Sequence, residues 1–118
     1  MRNYIKNNDE NISVSLEVVK DNGVIYKGLL NKQKYYDFIT ILNVENPRGC
    51  KIKSVHGYYF NKNTNDYEKL PCSKIGSAKQ LIPTNHFNGN NARIKYVIEY
   101  KVGMLTSKKF TITCNAVL

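Results

Sequence analysis

Tryptophan is absent from this 118-residue chain, and proline (three), cysteine (three), histidine (two) and methionine (two) are scarce. Each shortage excludes something. The cysteines, Cys50, Cys72 and Cys114, fall in no CxxC or Cys/His zinc spacing. Being odd in number, they cannot all pair within the chain. That count and the lack of a charged-then-apolar leader favour a reduced, intracellular setting, with secretion the alternative if a cleaved leader once preceded Met1. Acidic residues number only 9 and stand singly apart from Asp9-Glu10, so paired acid–base catalysis has no seat. The glycines are isolated, with no Gly-rich loop ahead of a helix to cradle phosphate. No apolar run is long enough to cross a bilayer, and membrane insertion is not expected. These shortages imply no metal, no cofactor and no enzyme.

What is abundant is positive charge: 18 Lys+Arg against 9 Asp+Glu, a net charge of +9, with only Arg2, Arg48 and Arg93 as arginines. From Lys69 onward eight basic residues face a single acid, Glu99. Codon bias toward Lys and Asn explains the rarity of Arg better than it explains the net charge. The remainder points to an anionic partner or to solubility.

Period-two alternation dominates the pattern. Residues 1–11 read as a polar N-terminal arm, and 12–118 as one domain of ordinary size. Ile12, Val14, Leu16 and Val18 alternate with polar residues, Asn22-Gly23 suits a tight hairpin, and Val24–Leu30 returns, which predicts a first hairpin there. Tyr36–Val44 is apolar on both faces and predicts a central strand covered on both sides. Asn46-Pro47-Arg48-Gly49 is a turn. Cys50–Phe60 extends again with Gly57 as a bulge, Asn61–Asp66 turns, and Tyr67–Leu70 is a short strand. Arg93–Val102 and Lys108–Ala116 form a last hairpin with Ile94, Tyr96, Ile98, Tyr100, Phe110, Ile112 and Cys114 inward. Ser77-Ala78-Lys79-Gln80 has capping-box spacing and predicts a helical turn through Leu81, leaving 83–91 as loop. About seven short strands imply an all-β antiparallel sandwich, immunoglobulin-like in architecture, with a five-stranded oligonucleotide-binding barrel as the alternative. The Cys…Trp…Cys signature of true immunoglobulin domains is missing.

Few residues offer chemistry. Cys72 with His86 could form a nucleophile–base pair, against the plainer reading of a buried cysteine and a loop histidine. His56 reads as packed against a neighbouring strand. Asn61, Asn63, Asn65 and Asp66 supply one carboxylate, too few for a good calcium site and better read as a solvated turn. Asn11-Ile12-Ser13 fits a glycosylation sequon, relevant only in a secretory pathway.

Function is therefore sought in binding. Arg93, Lys95, Lys101 and Lys109 share the outward face of the last hairpin by parity, and Lys51 and Lys53 lie on one face of another strand. Segment 74–91 carries Lys79, His86 and Phe87. Phe87 is either a displayed anchor or a ring tucked beneath its loop. The expected role is a non-enzymatic module engaging a protein partner, anionic in character, through an edge strand or the 74–91 loop. The alternative is a nucleic-acid-binding protein in which Tyr35, Tyr36, Tyr58, Tyr59 or Tyr67 stack on bases.

Overall fold

Alternation of apolar and polar residues along extended backbone produces sheets with one dry face, and two such faces must meet. A computed structural model describes residues 2–118 and contains eight strands. They are β1 (Arg2–Asn8), β2 (Ser13–Lys27), β3 (Gln33–Glu45), β4 (Lys51–Asn61), β5 (Asp66–Lys69), β6 (Gly76–Pro83), β7 (Asn91–Val102) and β8 (Thr106–Val117). One antiparallel sheet, sheet A, has the order β1-β2-β3-β6. The other, sheet B, has the order β5-β4-β7-β8. The fold is an all-β sandwich.

The core lies between the sheets. Val14, Leu16 and Val18 of β2 and Phe38 and Leu42 of β3 meet Ile94, Tyr96, Ile98 and Tyr100 of β7, and all nine are essentially inaccessible. The last hairpin matches its sequence pattern: β7 pairs with β8 from Asn91↔Val117 to Val102↔Thr106, and its expected inward residues are buried. A polar chain crosses the core where the alternation places Thr40 and Gln80 inward. Gln80 Nε2 donates to Thr40 Oγ1 at 3.1 Å, Thr40 Oγ1 and Tyr96 Oη are 2.9 Å apart, and Gln80 Oε1 accepts from Cys72 N. Buried polar groups are tolerable only when paired in this way.

Several expectations are corrected. Residues 2–8 are not a free polar arm but edge strand β1, with Ile5 opposite Leu16. Asn22-Gly23 is not a hairpin turn. β2 runs through it, and the register slips between Lys20 and Gly23, leaving Asp21 and Asn22 as a bulge. Only Gly23 there has a positive φ, 76°, whereas a two-residue turn of the Asn-Gly type needs two. The chain reverses instead at residues 28–32, where Gly28 has φ 105° and a Cβ would meet the Asn31 carbonyl oxygen at 2.7 Å. β3 is central in its sheet but covered on one side, since Ile39 and Ile41 are only half-buried. The bulge in β4 falls between Ile52 and Ser54, not at Gly57. Gly57 serves close packing: a Cβ there would meet Leu70 Cδ1 at 2.7 Å and Tyr96 Cε1 at 2.9 Å. Residues 77–81 belong to strand β6, and the only helical turn among the described residues is the 3-10 turn Thr84–His86.

Candidate anion-binding face

The outward positions of sheet B form a basic surface. β4 contributes Lys51 and Lys53, β5 contributes Lys69, β7 contributes Arg93, Lys95 and Lys101, and β8 contributes Lys109. The one acid on the outer face of these strands is Glu99, 3.3 Å from Lys53 Nζ. Lys51 and Lys101 are direct cross-strand partners. Like charges directly opposed on adjacent strands destabilise a sheet unless a counter-charge lies between them.

Three aromatic side chains share this face and fix the cations. Phe60 pairs with Tyr67 across the β4–β5 hairpin, their rings edge to face at 5.4 Å. The Arg93 guanidinium lies over Phe60 at 5.0 Å, and Lys95 Nζ lies 3.8 Å from the Tyr67 centroid and 5.4 Å from that of Tyr58. Ring quadrupoles attract such cations while leaving their outer side open to a ligand. Beyond Arg93 the face runs into an open cleft of about 680 Å³ edged by Phe60, Lys62, Asn88, Asn91 and Asn115. The cleft offers amide donors, two cations and one ring edge.

Four expected binding residues, Arg93, Lys95, Lys101 and Lys109, thus lie on one face. Three others lie elsewhere. Lys79 sits on β6 in the opposite sheet and pairs with Asp21 at 3.2 Å. His86 stacks against Tyr59, with Nδ1 2.9 Å from the phenolic oxygen. That phenol donates to Glu68 Oε2, so the histidine nitrogen is the donor in its bond with Tyr59. Burial, reinforced by the Glu68 carboxylate, pushes the Tyr59 hydroxyl far above its ordinary value, so it stays neutral. Phe87 is not displayed. It is 2% exposed and packs against Tyr36, Phe38 and Tyr59, which is the tucked arrangement. His56 is exposed on the outer face of β4 rather than packed.

The Cys72–His86 pairing gains no support, because His86 Nδ1 is engaged by Tyr59. All three cysteines are free thiols, and burial raises the pKa of Cys114, keeping it protonated. Among the described residues no group of three His, Cys, Asp or Glu side chains is placed to hold a metal ion. The Asn61–Asp66 turn is closed by its own bonds, Asn63 N donating to Asn61 Oδ1 at 2.8 Å. Phe60 and Lys69, outside the expected binding residues, complete this face. Their signal was the short β4–β5 hairpin, which sets Phe60 opposite Tyr67 and Tyr58 opposite Lys69. No protein-family model, curated protein or solved structure matches this chain.

Proposed function

We propose that this protein is a non-enzymatic binding module whose outer face of sheet B docks an anionic partner, in the first place an acidic segment of another protein. The observation that carries the proposal is seven cations against one acid on a single sheet face, with Lys51 set directly opposite Lys101. An anion lying along that face relieves a repulsion that the free protein carries. The edge strands β5 and β8 flank the face; Asn3 of β1 caps β8 at Val117, and a partner strand added along β5 or the rest of β8 would run beside its lysines. Segment 74–91 is less suited to docking, since about half of it is strand β6 and Phe87 is core.

Single-stranded nucleic acid is the second reading, favoured by Tyr58, Phe60 and Tyr67 lying among the cations. It ranks second because Arg93 and Lys95 already cover these rings, and a base must displace a cation to stack. On topology, the reading is immunoglobulin-like. β2-β3-β6 follow the order A-B-E and β4-β7-β8 the order C-F-G, with β5 at the edge beside β4 and β1 added beside β2.

Fluorescence anisotropy with a labelled poly-glutamate peptide and with labelled oligo-dT tests the proposal. The double variant Arg93→Glu/Lys95→Glu should bind the peptide at least about tenfold more weakly, equivalent to about 1.4 kcal/mol. Unchanged peptide affinity would overturn the reading. A Tyr67→Ala loss confined to oligo-dT would promote the second one.

A further inference from the structure

β2 and β3 outrun the sandwich. β1 stops pairing with β2 at Val19, and β6 stops pairing with β3 at Tyr35. β2 is therefore an edge from Gly23 onward while β6 still flanks β3 as far as Tyr35, and only Tyr26↔Lys34 and Lys27↔Gln33 continue alone as a two-stranded ribbon into the 28–32 turn. The molecule is accordingly elongated, 54 × 27 × 22 Å.

The ribbon ends in two adjacent leucines, Leu29 and Leu30, which are 99% and 97% exposed. Below them Tyr26 and Val24 are also exposed on the side that continues the inner face of sheet A, where sheet B no longer covers it. Lys27, Lys32 and Lys34 ring this tip, with Lys34 over the Tyr26 ring at 5.7 Å, and Lys20 stands lower on the ribbon. The nearby carboxylates lie at the ribbon's base and are engaged, Asp21 with Lys79 and Asp37 with Asn22 Nδ2 at 2.7 Å.

Two unsupported leucines in water are unfavourable unless something covers them, and patches of this kind mark interaction sites. A protruding tip with an apolar end and a cationic collar is complementary to the anionic bilayer interface, with a wet, negatively charged layer above acyl chains. We propose that the Leu29–Leu30 tip inserts into the headgroup region of an anionic membrane while Lys27, Lys32 and Lys34 hold lipid headgroups. The short apolar runs that exclude a span do not bear on this, since shallow insertion needs only a tip.

The opposite end of the sandwich also carries exposed apolar residues, Met104 and Leu105 in the β7–β8 turn. That end is less suited. Glu45 and Glu10 stand there largely exposed, paired with Lys6 and Lys108, so part of the positive charge at that end is already neutralised.

The lack of tryptophan makes the test clean. Leu30→Trp and, separately, Met104→Trp give single-tryptophan proteins, each first checked for an unchanged melting temperature. With phosphatidylserine-containing phosphatidylcholine vesicles, Leu30→Trp should shift to the blue and be quenched by brominated acyl chains, while Met104→Trp should do neither. Leu29→Ser in the Leu30→Trp background should weaken the effect severalfold, and Lys32→Glu/Lys34→Glu should weaken it more, at about fivefold per lysine. The shift should persist when Arg93→Glu/Lys95→Glu is added, which separates the tip from the basic face of sheet B. Four results would overturn the proposal: no vesicle binding, binding without a blue shift, a shift at Met104→Trp instead, or loss of the shift with the sheet B charges. A blue shift that grows with protein concentration and needs no vesicles would overturn it too, in favour of a second copy of the chain.

Discussion

Lys95 Nζ stands 3.8 Å from the centre of the Tyr67 ring, on a strand that does not adjoin the one bearing Tyr67. The contact spans β4, whose Tyr58 is the register partner of both Lys95 and Lys69. Three strands thus hold one cation in place, and the basic face is ordered before any partner arrives. Pre-ordering of this kind lowers the entropic cost of docking. Tyr67→Ala should therefore cost stability as well as orientation, about 1–2 kcal/mol from the lost edge-to-face contact with Phe60 and the lost cation contact. Thermal unfolding monitored by circular dichroism checks this.

Phe87→Ala tests the tucked ring. The side chain is buried among three aromatic rings, so its removal should cost about 3–5 kcal/mol and lower the melting temperature by well over ten degrees. Affinity for the anionic peptide, measured where the variant is still folded, should hardly change. Lost affinity at unchanged stability would instead restore Phe87 as a displayed anchor.

Gly57→Ala should destabilise by about 1–3 kcal/mol through overpacking against the Leu70 and Tyr96 side chains. The backbone there is not in the left-handed region, so the cost is steric alone. A companion Leu70→Ala substitution should recover part of it, because Leu70 Cδ1 is the nearest atom. Denaturant melts of the two single variants and the double variant measure that coupling.

Asp9 sets an acid limit on stability. Burial pushes its pKa up, but hydrogen bonds from Tyr100 Oη and from the Ile12 and Asn11 amides outweigh this, and the carboxyl lies below its ordinary 3.8. A group with a depressed folded-state pKa stabilises the fold at pH above its unfolded value, and that stability is lost as pH falls through the folded value. Wild type should thus lose stability below about pH 4, and Asp9→Asn should be weaker at neutral pH and less sensitive to acid. Melting temperatures across a pH series check both points.

The last hairpin was legible because its buried inward residues, Ile94, Tyr96, Ile98 and Tyr100 on β7 and Phe110, Ile112 and Cys114 on β8, are all apolar or aromatic, and period two has one reading there. The basic face was half legible for the same reason: parity placed Arg93, Lys95, Lys101 and Lys109 together. Parity carries no information about neighbouring strands, so the Phe60–Tyr67–Arg93 cluster stayed hidden. β6 was missed because its inward set, Ala78, Gln80 and Ile82, contains a polar residue. Gln80 is satisfied by Thr40 and by the backbone of Cys72, partners invisible in one dimension. The Asp21-Asn22 bulge inserts two residues, an even number, so the alternation continues through it unbroken. A turn and a bulge both need glycine at positive φ, and the sequence favoured the commoner use.

An ¹⁵N–¹H correlation spectrum titrated with poly-glutamate locates where an anion docks. The largest shifts should fall at outward residues of sheet B, around Lys51, Arg93, Lys95 and Lys101, and vanish at high salt as exposed charges are screened. Sheet A, away from the lysine collar of the Leu29–Leu30 tip, should be nearly silent. Shifts concentrated on segment 84–90 or on the outer face of sheet A, with sheet B unmoved, would contradict it.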